Sequence, residues 1–579
     1  MKSTRWDHRL GVRADDRNLV GHAGVVLLRR IADKTGLTTA LARALPQGTG
    51  PGWRDRGEAL VMLACAIMLG ATNVLEAEQL QHHWRRLFPR PISDSALRRA
   101  LEAIDGPVAA RVERVRAAIR RVVWTMLALR PGGFPWISVC GRELAGWYVL
   151  DLDATIVTCS SRKEGAAGTF KGSYGHHPLG AWVANTRECA AMLLRCGNAA
   201  ANDVADHKSV LAAALRQLPL PIWSKLLIRI DGAAFSHALL EHLQALTTSR
   251  RRVRWVTGWA INTADERAIA LLPEQVWTCA LRQDGQVHEI KGPDGEWLSY
   301  QVAELTGVRD LTGWPEGMRL IVRRVKPSRR DAKKLTAFEK RTGWRYQIIA
   351  TNIPAHHGLS GVPASGQMWF VDALYRDHAE VEDRVKAIKR VGLALLPSKS
   401  WQLNAAWILA AALAADLDAW MRLLLLHDEP ELAGAEPETI RMKLYHLPAR
   451  LTAHARRRTL HLDRTWPWAA AFATAWQRTT ELPAAPDGWS PPRRGPGRRR
   501  PAPPSGPWNP TPPQRHATAH PDTARDITGR QPPMARPSRR RTIEAEPARR
   551  PTGHTDPGRP RLRERRRRLP SPGQEARGR

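Results

Sequence analysis

The sequence predicts an α/β protein, and three patterns indicate this class. Apolar residues recur at helical spacing from residue 24 to about residue 130. Apolar, β-branched runs alternate with helical runs from residue 147 to about residue 249, which is the pattern of a sheet flanked by helices. Short β-prone pieces separated by turn residues fill residues 250–366. The chain has 579 residues, 43% of them hydrophobic, and is long enough for several cores.

Residues 1–135 are predicted to form an all-helical domain. In "RVERVRAAIRRVVWTML" the apolar residues repeat at helical spacing while arginines take the other face: Val112, Val115, Ile119 and Val122. In "PISDSALRRALEAI", Ser and Asp precede a helix that bears Arg98 and Arg99. Two interpretations stay open for this helix, a DNA-reading helix or a packed helix with a solvated basic face.

Two aspartates interrupt the apolar strand "WYVLDLDATIV". Asp151 and Asp153 are two residues apart and therefore lie on one face of the strand. Asp231 ends a later strand, "KLLIRID", and Glu382 lies in a charged helical segment. Carboxylates on strand faces are costly to bury unless they are paired or bind cations. Spacing alone leaves two readings open: a divalent metal site, or helix caps and ion pairs.

The formal net charge of +34 favours a polyanionic partner such as nucleic acid. Residues 487–579 contain 23 arginines, no lysine and 8 acidic residues, a net charge of +15, so +19 remains in residues 1–486. The same segment holds 20 of the 43 prolines, and we expect it to be a disordered tail.

The six cysteines form no CxxC pair, so the sequence supports neither a zinc site nor a disulfide framework. The N-terminus lacks the apolar core of a signal peptide, and the longest apolar runs are too short to span a membrane. We therefore expect a cytoplasmic protein.

Four blocks of the sequence resemble bacterial insertion-sequence DDE transposases of the class with a Y-R-E-K signature. They are "DLDATIVTCSSRKEGAAGTFKGSYGHHPLGAW", "LLRCGNAAANDVADHKSVLAAAL", "IRIDGAAFSHALLEHL" and "HAEVEDRVKAIKRVGLALLPSKSWQLNAAW". The resemblance extends over roughly residues 20–480.

The resemblance implies an RNase H-like catalytic core, a mixed sheet flanked by helices, with a β-rich insertion. The expected organisation begins with a helical DNA-binding domain at residues 1–135. The core follows in two parts, residues 136–249 and residues 367–430, on either side of the β-rich insertion at residues 250–366. A helical basic region at residues 431–486 and the tail at residues 487–579 complete the chain. The implied reaction is cut-and-paste transposition with Mg²⁺, for which Mn²⁺ can substitute. The implied partners are terminal inverted repeats, target DNA and a second copy of the chain in a homodimer. DNA binding would associate the protein with the nucleoid.

The resemblance also assigns site residues. The catalytic and metal-binding acids fall on Asp153, Asp231 and Glu382, with Asp151 as the second choice for the first position. The signature's Tyr and Lys fall on Tyr375 and Lys389, and its Arg position holds His378, a departure that puts the usual phosphate contact in question.

The glycine-rich loop after the first strand supplies Lys163 and Lys171 as candidate contacts to the DNA backbone. Five tryptophans of the insertion are candidates to stack an extruded base, without a choice among them: Trp255, Trp259, Trp277, Trp297 and Trp314. Two rival functions remain at this point, an inactive DNA-binding descendant of a transposase and an RNase H-like nuclease or resolvase.

Overall fold

The computed structural model describes residues 12–48, 53–160, 162–291, 295–328 and 331–483, so the expected tail at 487–579 lies outside the described residues. Numbered along the chain, the α-helices are α1 Val25–Lys34, α2 Leu37–Ala44, α3 Arg56–Met68, α4 Val74–Leu80, α5 Asp94–Glu102, α6 Gly106–Leu129, α7 Val204–Gln217, α8 His237–Ala245, α9 Thr263–Ala270, α10 Ala337–Thr342, α11 Met368–Asp377, α12 Glu380–Ile388, α13 Trp401–Leu425, α14 Pro430–Ala433, α15 Pro437–Ile440 and α16 Ala469–Glu481.

The strands are β1 Leu19–Val20, β2 Ser138–Val139, β3 Arg142–Glu143, β4 Trp147–Ala154, β5 Val157–Thr158, β6 Ala167–Gly168, β7 Tyr174–His176, β8 Leu179–Val183, β9 Cys189–Leu193, β10 Ser224–Ile230, β11 Arg251–Trp259, β12 Thr278–Cys279, β13 Glu289–Lys291, β14 Trp297–Ser299, β15 Gln301–Glu304, β16 Arg319–Val325, β17 Arg345–Thr351, β18 Ala449–His454 and β19 Arg457–Leu462. None of the described helices is long and apolar enough to cross a membrane.

Helices α1 to α6 occupy the N-terminal part of the described chain, and local signals set where several of them begin. The side chains of Asp55, Asn73, Ser93 and Asp105 each accept a hydrogen bond from a backbone N–H in the first turn of the helix that follows. On α5, Arg98 and Arg99 are exposed. The predicted helix start at Ser93 is therefore confirmed.

A nine-stranded sheet in the order β12-β15-β16-β17-β11-β10-β4-β8-β9 forms the centre of the fold. Strand β4 pairs in parallel with β10, and β10 pairs in parallel with β11. On its other side, β4 pairs antiparallel with β8, and β8 pairs antiparallel with β9. The carboxyl ends of β4 and β10 therefore meet at one edge of the sheet, which is where α/β proteins gather functional side chains.

Two segments differ from the sequence prediction. Strand β11, which falls within the expected insertion at residues 250–366, lies in the middle of the central sheet, and β12, β15, β16 and β17 extend the same sheet. The expected helical region at 431–486 contains the antiparallel hairpin β18–β19. In that hairpin, apolar and polar residues alternate with a period of two, which favours strands over helices.

Helix α13 is buried on nearly all sides and packs against α3, α6 and β9. Asp416 of α13 is fully buried and accepts hydrogen bonds from two arginines of α6, Arg116 at 2.8 Å and Arg120 at 2.9 Å. Arg120 also donates to Glu188, on the turn between β8 and β9, at 2.7 Å. This buried ion cluster joins the N-terminal helices to the central sheet.

Glu188 is the acceptor centre of the cluster, because the indole N–H groups of Trp124 and Trp420 also donate to it, at 2.8 and 2.6 Å. We expect Glu188→Gln to lower the free energy of unfolding by about 3 kcal/mol, since the amide offers one acceptor oxygen in place of two and leaves Asp416 alone to balance the buried charges of Arg116 and Arg120. Urea unfolding measures the change.

The matched control is Glu102→Gln, which breaks an exposed i,i+4 pair with Arg98. This change should cost less than about 0.5 kcal/mol. Equal effects of the two substitutions would contradict the assigned role of Glu188.

Candidate active site

Asp151 is a fully buried carboxylate on β4 that is paired with two arginines and hydrogen-bonded to a histidine. Arg229, its parallel neighbour on β10, donates through Nε at 2.6 Å and Nη2 at 2.9 Å. Arg384 of α12 donates to the second carboxylate oxygen, and His378 Nδ1 lies 3.2 Å from the first. Burial alone would raise the pKa of Asp151, but these partners hold it well below its ordinary value.

The same ion pairs continue into the helical layer. Arg229 also contacts Asp377 at the end of α11, and Arg384 contacts Glu380 at 3.1 Å in the first turn of α12. We call Asp151, Arg229, Asp377, His378 and Arg384 the buried ion network. It ties β4, β10 and the α11–α12 segment to one another.

Each of the three candidate catalytic acids lies two residues from a member of this network along the chain. Asp153 follows Asp151 on β4, Asp231 follows Arg229 at the end of β10, while Glu382 precedes Arg384 by two residues on α12. Asp231 and Glu382 are exposed, and Asp153 is partly buried. The network thus directs three acids from three elements to the same edge of the sheet.

The electrostatics of Asp153 indicates that the three acids share one site. Its pKa is raised to about 6, chiefly by burial and further by the Asp231 and Glu382 carboxylates, although His378 and a hydrogen bond from the backbone N–H of Ala154 at 2.7 Å oppose the rise. Like charges on neighbouring carboxylates destabilise the ionised form. A cation would relieve this repulsion.

The lysines of the site differ in their surroundings. Lys389, just after α12, has its pKa lowered by burial and by Lys171, while Asp153 opposes the shift, so Lys389 lies near both Lys171 and Asp153. Lys171 is exposed next to Phe170, whose ring is 71% exposed. Lys163 instead donates to the carbonyl of Leu396 and ties its loop to the segment after α12.

Two residues expected to contact DNA also have partners within the protein. His378 is buried with its Nδ1 3.2 Å from a carboxylate oxygen of Asp151, and its phosphate contact stays a prediction. Tyr375 directs its hydroxyl to the backbone of Gly232 and Gly258, next to Asp231, and an added Cβ on Gly258 would collide with that hydroxyl. Burial and the Asp231 charge raise the pKa of Tyr375 to about 12, so it stays a neutral support for the strand end that bears Asp231.

An aromatic cluster includes Phe235, which comes four residues after Asp231. Phe235 stacks on Trp314 with ring centroids 5.3 Å apart, and Trp259 lies 4.7 Å from Trp314. Trp255, Trp259 and Trp277 are buried, whereas Trp314 is partly exposed beside the active-site segment. Trp297 is exposed but lies on β14, in a separate two-stranded sheet.

The sequence prediction missed the buried ion network. A signal for it was present, because Arg229 stands in the otherwise apolar strand "KLLIRID" two residues before Asp231. A buried arginine in a strand requires an anionic partner. The partner could not be identified, because pairing between β4 and β10 is a long-range contact.

The donor set suits a hard divalent cation, since all three acids offer oxygen ligands. Among the described residues, no three His, Cys, Asp or Glu side chains form a ready metal cage. Mg²⁺ commonly keeps several waters and takes further ligands from substrate phosphate, so an open set of carboxylates fits such an ion.

Comparison with known protein families gives a match along most of the chain. The family described as "Transposase DDE domain group 1" matches residues 2–484. Among solved structures, the chain is similar to piggyBac transposase in a cryo-EM structure of a synaptic complex with hairpin DNA. The sequence identity is 10% and the TM-score 0.35, over 73% of this chain and 78% of that chain, and a likeness at this level supports no structural argument. No curated protein matches the chain.

The fold, the converging acids and the family match define the class of protein: it is a transposase, an enzyme that cleaves and transfers DNA. The chain belongs to the family of transposases with a group 1 DDE domain. The resemblance to DDE transposases noted from the sequence is confirmed. Transposases of this kind generally use divalent metal ions.

The two aspartates of β4 should respond oppositely to neutralisation. In the folded protein the pKa of Asp153, about 6, lies above the ordinary value of 3.8, so metal-free protein loses stability as the pH rises through 6. Asp153→Asn removes this loss and should stabilise the protein by up to about 3 kcal/mol at pH 8 in EDTA, with little effect near pH 4. Asp151→Asn should destabilise it by about 3–5 kcal/mol, because the buried Arg229 and Arg384 lose the carboxylate that they share.

Thermal unfolding of both variants between pH 4 and pH 8 measures this contrast. Asp383→Asn is the control, since Asp383 is exposed on α12 next to Glu382. Shifts of the same sign at pH 8 for the two β4 variants would disprove the division of roles.

Proposed function

We propose that this transposase binds the terminal inverted repeats of a bacterial-type insertion sequence, cuts the DNA there and joins the freed ends to a target. The observation that supports this most is the approach of Asp153, Asp231 and Glu382 to one another at the carboxyl edge of β4 and β10. The strand order β9-β8-β4-β10-β11, with β4, β10 and β11 parallel and β8 antiparallel, supports an RNase H-like core around this edge.

In this proposal the three acids hold Mg²⁺, or Mn²⁺ in its place. Two bound metal ions would supply an activated hydroxyl nucleophile and stabilise the leaving oxygen of an in-line displacement at phosphorus. The role of the chain is to hold the acids in place through the buried ion network. The Asp153 carboxyl is coupled electrostatically to both Asp231 and Glu382, which supports a shared site for the three acids.

Lys171 and Lys389 are proposed to hold the phosphates on either side of the reacting one. Lys389 lies near Asp153 and Lys171 lies near Lys389, and ammonium groups there would offset the repulsion between carboxylates and DNA. Lys163 is proposed to support the Lys171 loop rather than to contact DNA. Trp314 is the tryptophan we select for stacking on an extruded base, because it is partly exposed and its ring rests on Phe235, close after Asp231.

Two copies of the chain are proposed to act together in the cytoplasm, on nucleoid DNA. A mobile element has two ends, whereas each chain contributes one set of three acids. A homodimer therefore provides one active site for each end. The exposed Arg98 and Arg99 on α5 are proposed as part of the surface that meets this DNA.

The test is Mg²⁺-dependent cleavage and joining of duplex DNA that carries the element's own inverted repeats. Glu382→Gln keeps the shape of the side chain and removes its negative charge. We expect wild type to cut and join, and the variant to bind the repeats while both reaction rates fall by more than about 100-fold, as expected for loss of a group that acts on the reacting phosphate.

Asp383→Asn removes the neighbouring charge on the same helix and should leave both rates within about twofold of wild type, because an exposed charge paired with Lys386 contributes little. A wild-type protein that binds the repeats but cuts with neither Mg²⁺ nor Mn²⁺ would be an inactive binding protein. Cleavage without joining would instead indicate a nuclease.

A further inference from the structure

The hairpin β18–β19 presents a basic face to solvent. In its register, Arg450 lies opposite His461, Thr452 opposite Thr459, and His454 opposite Arg457, and these pairs alternate with the inward ones. All six of these side chains belong to exposed residues. The outward face thus consists of two arginines, two histidines and two threonines, with neither an acidic nor an apolar side chain.

The inner face anchors the hairpin to the body of the protein. Leu451, Leu460 and Leu462 are partly buried against the main hydrophobic core. Arg458 donates to the backbone carbonyl of Arg86 at 2.6 Å, and β1 pairs with the outer edge of β18. The hairpin is therefore a fixed ribbon, and its outward side chains are held in a constant arrangement.

The turn of the hairpin retains an arginine where the backbone favours another residue. Ala455 and Arg456 have φ values of 48° and 64° and form the two-residue turn between the strands. Such turns prefer Asn and Gly, and other residues in this region cost about 1 kcal/mol each. Both residues are exposed, so side-chain burial does not offset this cost. An exposed charged residue at a strained turn suggests a function in binding.

The surface beside the hairpin has the same charge. Arg85, Arg86 and Arg90 are exposed on the segment that receives the Arg458 hydrogen bond. Asp16 is the acidic partner of Arg450, at 3.3 Å, and it lies at the base of the hairpin, away from the turn.

We infer that the β18–β19 hairpin is a binding site for duplex DNA, formed by an element different from those that hold the catalytic acids. The major groove of B-DNA is wide enough for a two-stranded β-ribbon. A six-residue strand is about 20 Å long, which corresponds to about six base pairs. Arginine and threonine donors match phosphate oxygens and the acceptor edges of bases. This inference rests on the proposed function, because it assumes that DNA is the substrate.

The test compares full-length wild type with Arg456→Gly and with the triple variant Arg450→Thr, Arg456→Gly, Arg457→Thr. Binding is measured without divalent metal, so cleavage does not enter the result. Threonine keeps strand propensity, and glycine relieves the turn, so the Arg456→Gly protein should unfold at a higher temperature than wild type while its DNA affinity falls. A structural role for Arg456 would instead lower both.

We expect the triple variant to bind DNA about tenfold or more weakly, with the slope of log affinity against log salt reduced by about 2 to 3. Arg456→Lys keeps a phosphate-binding charge and should recover most of the affinity lost in Arg456→Gly. The control is Arg216→Gln, Arg250→Thr, Arg252→Thr, which removes three exposed charges elsewhere. All variants keep the 23 arginines of residues 487–579, so that contribution cancels.

Binding to two different duplexes shows whether the hairpin recognises the ends of the element or binds DNA of any sequence. A loss confined to the inverted-repeat duplex assigns the hairpin to end recognition, and an equal loss on an unrelated duplex assigns it to target or sequence-independent binding. A triple variant that binds both duplexes like wild type overturns the inference. Failure of wild type to bind either duplex would instead refute the proposed function itself.

Discussion

The ion pair between Asp151 and Arg229 is the interaction on which the active site depends. Both side chains are fully buried, so neither charge is tolerable without the other. Each also has a partner in the helical layer, Arg384 and His378 for Asp151 and Asp377 for Arg229. One buried contact therefore fixes the register of two strands and the position of a helix. The three candidate catalytic acids lie on or directly after the same elements, two residues away from a member of the network.

The two aspartates of β4 show how position along one strand decides the state of a carboxyl group. Asp151 lies inside the sheet, where arginines from a neighbouring strand and a covering helix reach it. Asp153 lies near the strand end, where its neighbours are two other acids, so its pKa is raised and not lowered. The first carboxylate stabilises the fold, whereas the charge of the second is unfavourable in the folded protein. Two carboxyl groups that share one strand face therefore contribute to stability with opposite sign.

The sequence was sufficient where the signal is local, and insufficient where the outcome depends on distant contacts. The start of α5 at Ser93 follows from a cap, and the acid at the end of β10 follows from an apolar run that stops at Asp231. The place of β11 in the central sheet depends on pairing with β10, which no local pattern reveals. His378 occupies a signature position for a phosphate contact, yet the Asp151 charge beneath it draws the ring inward. Periodicity assigns a side chain to a face, but it does not identify the partner across that face.

A cluster of three acids creates a problem for an enzyme that acts on DNA, because carboxylates repel phosphates. The residues that attract DNA must therefore lie apart from the acids. Residues 1–486 have a net charge of +19, which is enough to attract DNA from other surfaces. Lys389 lies near Asp153, while the β18–β19 hairpin and Arg85, Arg86 and Arg90 bear positive charge on other elements. In the proposed mechanism these other elements supply the affinity for DNA, so the three acids need not be paired with protein cations. Unpaired carboxylates suit a divalent metal, so separating DNA binding from the acids would also preserve the proposed metal site.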